Sequence, residues 1–157
     1  MNEISLRDYR DLDIEAMFRL DMACFAPEFR FDRASMRAFA EERDAVAIVA
    51  QEDGGELAGF LIVHVEEAAV GSQGYVVTLD VAVAVRRRRV AARLMEEAER
   101  RVATAGAQWI ELHVFVENVG AVRFYERMGY ERVGELRGFY GRAGLDAFLY
   151  RKVLVDV

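Results

Sequence analysis

Residues 81–101 read VAVAVRRRRVAARLMEEAERR. An apolar run, Val81 to Val85, meets four consecutive arginines, Arg86 to Arg89, after which Val90, Leu94, Ala98 and Val102 recur at every fourth position. The first pattern is that of a strand, and the second is that of a helix packed along one face. The arginines therefore stand at a strand-to-helix junction, at the N-terminal end of the helix. That end carries partial positive charge and free N–H groups and favours anions, so four cations there repel the dipole and one another. The run alone leaves two readings open. It is a solvated charge cluster, or it meets a phosphorylated ligand whose oxygens take helix N–H groups and arginine side chains together.

The rest of the chain reads outward from this junction as alternating strands and helices. Ile4 to Arg7 forms a short strand, and residues 11–25 form a helix capped by Asp11 or Asp13, with Ile14, Met17, Phe18 and Phe25 on its apolar positions. A loop around Pro27 leads to a second helix from about residue 33. AVAIVAQEDGGELAGFLIVHVEE is a hairpin around Asp53-Gly54-Gly55-Glu56. Residues 74–85 form a long strand, residues 88–105 the helix described above, and WIELHVFVE the next strand. NVGAVRFYERMGY is a short helix closed by Gly129, and two strands follow, from about Glu131 to Arg137 and from about Ala147 to Leu154.

The composition narrows the classes of function. A chain of 157 residues, 54% of them hydrophobic, suits one folded domain over residues 1–157. No apolar run approaches the ~20 residues of a membrane helix, and the charged start MNEISLRDYRDLD has no signal-peptide core, so no membrane partner is expected. The lone Cys24 has no partner for an internal disulfide, which fits a reducing, cytoplasmic location. A net charge of −6 argues against a nucleic-acid partner, because such domains carry a broad basic face. Here the basic cluster is local, as a local anion requires. A Rossmann glycine fingerprint and a Walker phosphate loop are both absent, and no metal is expected.

LDVAVAVRRRRVAARLM resembles the acetyl-CoA-binding signature of the GNAT N-acetyltransferase superfamily: a strand, then Arg/Gln-x-x-Gly-x-Gly/Ala, then a helix. Arg86 takes the first position of that pattern and Ala91 the last. ENVGAVRFYERMGY is similar to the superfamily's second motif at Asn118, Ala121, Phe124, Tyr125, Gly129 and Tyr130. The resemblance implies an α/β fold with a mixed, mostly antiparallel central sheet of about seven strands flanked by about four helices. It also implies acetyl-CoA as cosubstrate. Backbone groups of Val81 and Val83 would bond the pantetheine arm, with Arg86 heading the phosphate loop. N–H groups of Arg87, Arg88, Arg89, Val90, Ala91 and Ala92 would hold the pyrophosphate, and Asn118 and Tyr125 would contact the cofactor. Tyr125 would protonate the leaving thiolate, or it packs in the core beside Phe124. Two positions depart from the pattern. Arg89 replaces the usual Gly, which lets the backbone approach a pyrophosphate closely, and Val83 replaces a frequent Pro.

An amine acceptor must be neutral to attack a thioester, and histidine is the side chain that titrates in the right range. The chain has two, His64 and His113. On WIELHVFVE the period of two places Ile110, Leu112, Val114 and Val116 on one apolar face, and Trp109, Glu111, His113, Phe115 and Glu117 on the other. A mixed polar and aromatic face suits a groove, so His113 is the candidate base and His64 a structural residue. YVVTLDV, LHVFVEN and LRGFY are similar to segments of protein N-terminal acetyltransferases, both the bacterial ribosomal-protein-alanine type and the eukaryotic type acting on Met-starting chains. That narrower resemblance implies that Tyr75 pairs with His113, that Phe139 and Tyr140 shape a peptide slot, and that Phe25, Pro27 and Phe29 of FAPEF line it. Tyr75 is otherwise an aromatic on a buried strand. Glu111 is counted with the acceptor residues, holding an ordered water as the alternative base.

The expected activity is direct acetyl transfer from acetyl-CoA to a protein or peptide α-amine in a ternary complex, since no Cys or Ser is placed to carry the acetyl group. Acetylation of a small-molecule amine or amino acid is the second reading. A CoA-binding protein with activity impaired by Arg89 is the third. The sequence leaves monomer and homodimer open.

Overall fold

The computed structural model describes residues 3–141 and 144–154. The elements are β1 (Ile4–Asp8), α1 (Ile14–Cys24), α2 (Arg33–Ala40), β2 (Ala45–Glu52), β3 (Leu57–Glu67), β4 (Ser72–Val81), α3 (Val90–Thr104), β5 (Ala107–Phe115), α4 (Val119–Arg127), β6 (Glu131–Leu136) and β7 (Ala147–Val153). Short 3₁₀ turns at Asp11–Asp13, Pro27–Phe29 and Val83–Val85 link them. The strands form one seven-stranded sheet in the order β1-β2-β3-β4-β5-β7-β6. Among the described residues only β4 and β5 run parallel, and α3 makes the crossover that such a pair needs. The mixed, mostly antiparallel sheet with four α-helices is the architecture that the sequence implies.

Helices cover both faces of the sheet. Val90, Leu94, Met95, Ala98 and Val102 of α3 lie buried against Ile48, Ala50, Leu61, Val63 and Val76. Ile14, Met17, Met36 and Ala40 of α1 and α2 cover the opposite face, on Val49, Phe60 and Ile62. This explains the unbroken apolar run in β3. Leu61 and Val63 point to one layer, Phe60 and Ile62 to the other, and a strand covered on both faces does not alternate. Gly59 is required by the crowding: a Cβ there would lie 2.7 Å from the Asp80 carbonyl oxygen. Gly129, at φ +95°, closes α4 as the sequence predicts.

Two of the boundaries that differ from the sequence reading have a clear physical cause. Strand β4 ends at Val81, not Val85. Ala82 N–H makes the last ladder bond, to Ala58 O at 2.8 Å, and β3 begins at Leu57, so Val83–Val85 has no strand to pair with and coils into a 3₁₀ turn. The alternating apolar pattern there serves a turn in which Val85 is buried and Val83 is 68% exposed. Helix α1 starts at Ile14. Asp13 holds the N-cap position, as the sequence offers, but its carboxylate caps no helix N–H; it accepts from the Arg10 backbone N–H at 2.8 Å and forms a two-pronged pair with Arg7 at 2.8 and 2.9 Å, fastening the turn to β1.

Candidate active site

Strands β4 and β5 pair only over Ser72–Tyr75 and Ala107–Glu111. Beyond that they part, while β3 continues to pair with β4 and β7 with β5. The facing backbone edges of Val76–Val81 and Leu112–Phe115 are left to a groove of about 1320 Å³. Buried N–H and C=O groups require partners, so an extended ligand rich in amides fits this gap. The parting is the reason that cofactor and acceptor candidates from distant parts of the chain face one space.

One end of the groove is the junction from which the sequence reading began. Arg86, Arg87, Arg89, Val90, Ala91 and Ala92 line it, with Val81, Asn118, Phe124 and Tyr125. Helix α3 has no side-chain cap, so its first-turn N–H groups remain available. Arg87 (φ +75°) and Arg89 (φ +59°) are both left-handed, a conformation that turns neighbouring N–H groups toward one side, as in anion-binding nests. The arginines fan apart. Arg86 donates to the Val81 carbonyl at 3.3 Å, Arg88 pairs with Glu52 at 3.7 Å, and Arg89 reaches two turns along α3 to Glu96 at 2.9 Å. Asn118 caps α4, its Oδ1 accepting from the Ala121 N–H at 3.2 Å. Tyr125 is buried between Phe124 and Tyr130, ring centroids 5.1 and 5.7 Å away, and burial pushes its hydroxyl far above the ordinary phenol range.

The other end holds the titratable pair. Tyr75 Oη and His113 Nδ1 are 2.6 Å apart. Phe139 stacks on the imidazole with centroids 4.1 Å apart and planes at 20°. Burial lowers the His113 pKa from its ordinary value, against an opposing pull from Glu111, and so favours the neutral ring. Burial also holds the Tyr75 phenol protonated, its pKa pushed up to about 12. Around them stands an aromatic wall drawn from three segments. Phe29 lies 5.0 Å from Phe115 and 4.8 Å from Tyr140, and Tyr140 lies 5.0 Å from Phe139. Phe25, Glu28, His64 and Glu66 complete this end.

Four of the residues expected at the site stand off the groove. Val83 lies on the exposed turn after β4, and its carbonyl accepts from Arg86 N–H at 3.2 Å. Arg88 turns to Glu52 on β2. Pro27 is exposed at the start of its 3₁₀ turn. Glu111 is buried in an ion pair with Arg151 and accepts from Trp109 Nε1 at 3.1 Å, so it braces β5 against β7. Phe115 was within reach of the period-two argument that selected His113, because it follows on the same face. His64 lines the groove while its Nε2 bonds the Phe39 carbonyl at 2.8 Å, so it also ties β3 to α2. Glu28 and Glu66 carry no sequence signal that separates them from other surface acids.

Known structures share this architecture. An Arabidopsis thaliana NAA60 bound to a bisubstrate analogue superposes with a TM-score of 0.86 at 24% identity, over 96% of this chain and 98% of that one. The Escherichia coli ribosomal-protein-S18-alanine N-acetyltransferase gives 0.84 at 15% identity, over 99% and 96%. An aminoglycoside 6′-N-acetyltransferase complexed with coenzyme A gives 0.80 at 17% identity, over 98% of each chain. The pattern of the acetyltransferase (GNAT) family matches residues 14–130, from the start of α1 through the arginine junction to the end of the α4 motif. With the parted strands, the uncapped α3 and that match together, the chain belongs to the GNAT family of acetyl-CoA-dependent N-acetyltransferases.

Proposed function

We propose that this enzyme acetylates the α-amine of a protein or peptide chain by direct transfer within a ternary complex. One observation carries the reading: a neutral histidine, bonded to a tyrosine at 2.6 Å, at the foot of an aromatic wall wide of the phosphate end. In the tautomer with Nδ1–H donating to Tyr75 Oη, His113 Nε2 keeps its lone pair and takes the proton that the attacking amine loses. Tyr75 holds the ring's plane. The α3 N–H groups, with Arg86 and Arg87, hold the pyrophosphate, and the free edge of β4 bonds the pantetheine amides. The Tyr125 hydroxyl, kept protonated by burial, donates a hydrogen bond that stabilises the leaving thiolate, which then takes its proton from solvent. Phe29, Phe115, Phe139 and Tyr140 enclose the first residues of the acceptor.

NAA60 with its bisubstrate analogue and the ribosomal-protein enzyme support the reading by fold. Glu28 and Glu66 at the acceptor end favour a cationic amine of any size, which keeps the small-amine reading as a second one. The test is incubation with acetyl-CoA and peptides varied at the first two residues, alongside a panel of amino acids, polyamines and aminoglycosides, read by mass spectrometry. Nα-acetylated peptides are the expected product. Acetylation of small amines alone overturns the peptide reading. Coenzyme A binding without any transfer leaves a binding protein.

A further inference from the structure

Behind the groove wall two carboxyl groups are buried together. Asp21 of α1 and Asp80 of β4 are 0% and 1% exposed. Each has one oxygen satisfied: Asp21 Oδ2 accepts from the Phe31 N–H at 2.9 Å, and Asp80 Oδ1 accepts from the Thr78 hydroxyl at 2.6 Å. The other oxygens, Asp21 Oδ1 and Asp80 Oδ2, are the two buried side-chain atoms among the described residues that lack a donor. The two elements meet at this point, since Cys24, three residues after Asp21 on α1, places its Sγ 3.4 Å from the carbonyl of Val81, the residue next to Asp80 on β4, and Asp21 is the hydrogen-bonding neighbour that perturbs the Asp80 carboxyl. Two acceptors in a dry site hold together only with a proton between them.

We propose that Asp80 keeps its proton and donates it to Asp21, making a positioning pair that ties the acceptor-side loop, residues 25–31, to the cofactor strand β4. The assignment of those two sides rests on the proposed function. The chain of bonds runs from the Phe31 N–H through Asp21 and Asp80 to Thr78, so behind the groove wall it links the acceptor-side loop to the cofactor strand. The groups around the pair are the Cys24 thiol from α1, the Tyr125 hydroxyl from α4, and the Arg86 guanidinium, whose Nη2 lies 3.9 Å from Cys24 Sγ. Burial first, and then Asp21, hold the Asp80 carboxyl well above the ordinary carboxylate range, which favours its protonated form. Loss of that proton at higher pH leaves two like charges in a dry site, which part. Asp21 then releases the Phe31 N–H, and the loop that carries Phe25 and Phe29 loosens. Acceptor KM rises while coenzyme A affinity stays.

Asp80→Asn tests this, because its amide donates to Asp21 and still accepts from Thr78 with no proton to lose. The parent is expected to show an alkaline fall in kcat/KM for the acceptor that Asp80→Asn lacks. Asp80→Ala raises acceptor KM about tenfold at all pH values, with coenzyme A dissociation constants within about twofold of the parent. A second readout needs no turnover. The Phe31 amide resonance should shift in one step above the ordinary carboxylate range in the parent and stay fixed in Asp80→Asn, over about pH 5 to 10. Stability should follow the same sign. The folded chain holds a proton that the unfolded chain gives up, so the parent loses stability as pH rises above the ordinary carboxylate range, and Asp80→Asn loses less. The proposal is overturned if the Phe31 resonance titrates in the ordinary carboxylate range, or if Asp80→Asn keeps the parent's alkaline fall. Failure to acetylate any amine leaves the resonance and stability readouts to decide the pair independently.

Discussion

Replacing Arg89 by glycine should stabilise the protein. Arg89 sits at φ +59°, ψ +21°, as the N-cap of α3. A side chain in that left-handed region costs about 1–2 kcal/mol. Its guanidinium also stands against the positive end of the helix, a further few tenths of a kcal/mol, about 0.3–1. Against these stand the greater freedom of glycine in the unfolded chain, about 0.5–1 kcal/mol, and loss of the Arg89–Glu96 pair. That pair has side chains 70% and 53% exposed and contributes no more than a few tenths of a kcal/mol, about 0.3. The balance is a gain of about 1 kcal/mol, or roughly 2–4 °C in Tm for a domain of this size. Arg89→Ala is the control, since it removes the charge and the pair but keeps the left-handed Cβ. Thermal and urea melts of the three proteins should rank glycine above alanine by about 1 kcal/mol. If alanine equals glycine, backbone strain at residue 89 is not the reason. Because Arg89 is folded back onto Glu96, Arg89→Gly should leave coenzyme A affinity within about threefold. Weakening by the ~1.5–3 kcal/mol of a charge-assisted bond would show instead that the side chain swings to the phosphates.

Replacing His113 by alanine should slow transfer about 10²–10⁴-fold with coenzyme A affinity unchanged, and His113→Glu should retain more activity than alanine, both read by steady-state kinetics beside a melting curve. The acidic limb of the parent's rate profile should lie below pH 6.5, because burial lowers the His113 pKa, and it should vanish in His113→Ala. Gly59→Ala should destabilise by about 1–3 kcal/mol in a urea melt, since the obstructing atom is the Asp80 backbone oxygen rather than a movable side-chain end. Asp13 is held below the usual carboxylate range, against burial, by the Arg7 guanidinium and the Arg10 N–H. Its contribution to stability is therefore present above the ordinary carboxylate pKa and lost as pH falls through the lowered one, and Arg7→Gln should flatten that part of an acid-denaturation curve.

Most of the element order was legible because local periodicity and long-range packing agree. The fourfold repeat of Val90, Leu94, Ala98 and Val102 is the stripe that α3 buries, and the period of two on β5 separates its core residues from the face that carries His113. The end of β4 was not legible, because Val81, Val83 and Val85 alternate like a strand, and only the starting point of β3, far back in the chain, decides that pairing stops. Glu111 shows a related limit. Its position on the groove-side face was right, but its partner Arg151 comes from β7, forty residues on, and no local pattern announces that pair. Asp21 and Asp80 look like any surface aspartates in the sequence, and only the layering of α1 on β4 makes them a buried couple.

The parting of β4 from β5 gives the sheet four free edges instead of two. Ordinary edges recruit foreign strands and are a hazard to be blunted. The outer pair here is β1 and β6, whereas the inner pair lies at the floor of a groove bridged by Phe29 against Phe115 and Tyr140. A whole sheet cannot reach those inner edges, but a single unfolded thread can. On the proposed peptide reading, the acceptor is screened by conformation before it is screened by side chain: a terminus wound into a helix or tucked against its own domain would be invisible to the enzyme, and the same terminus would become a substrate once a few residues come free.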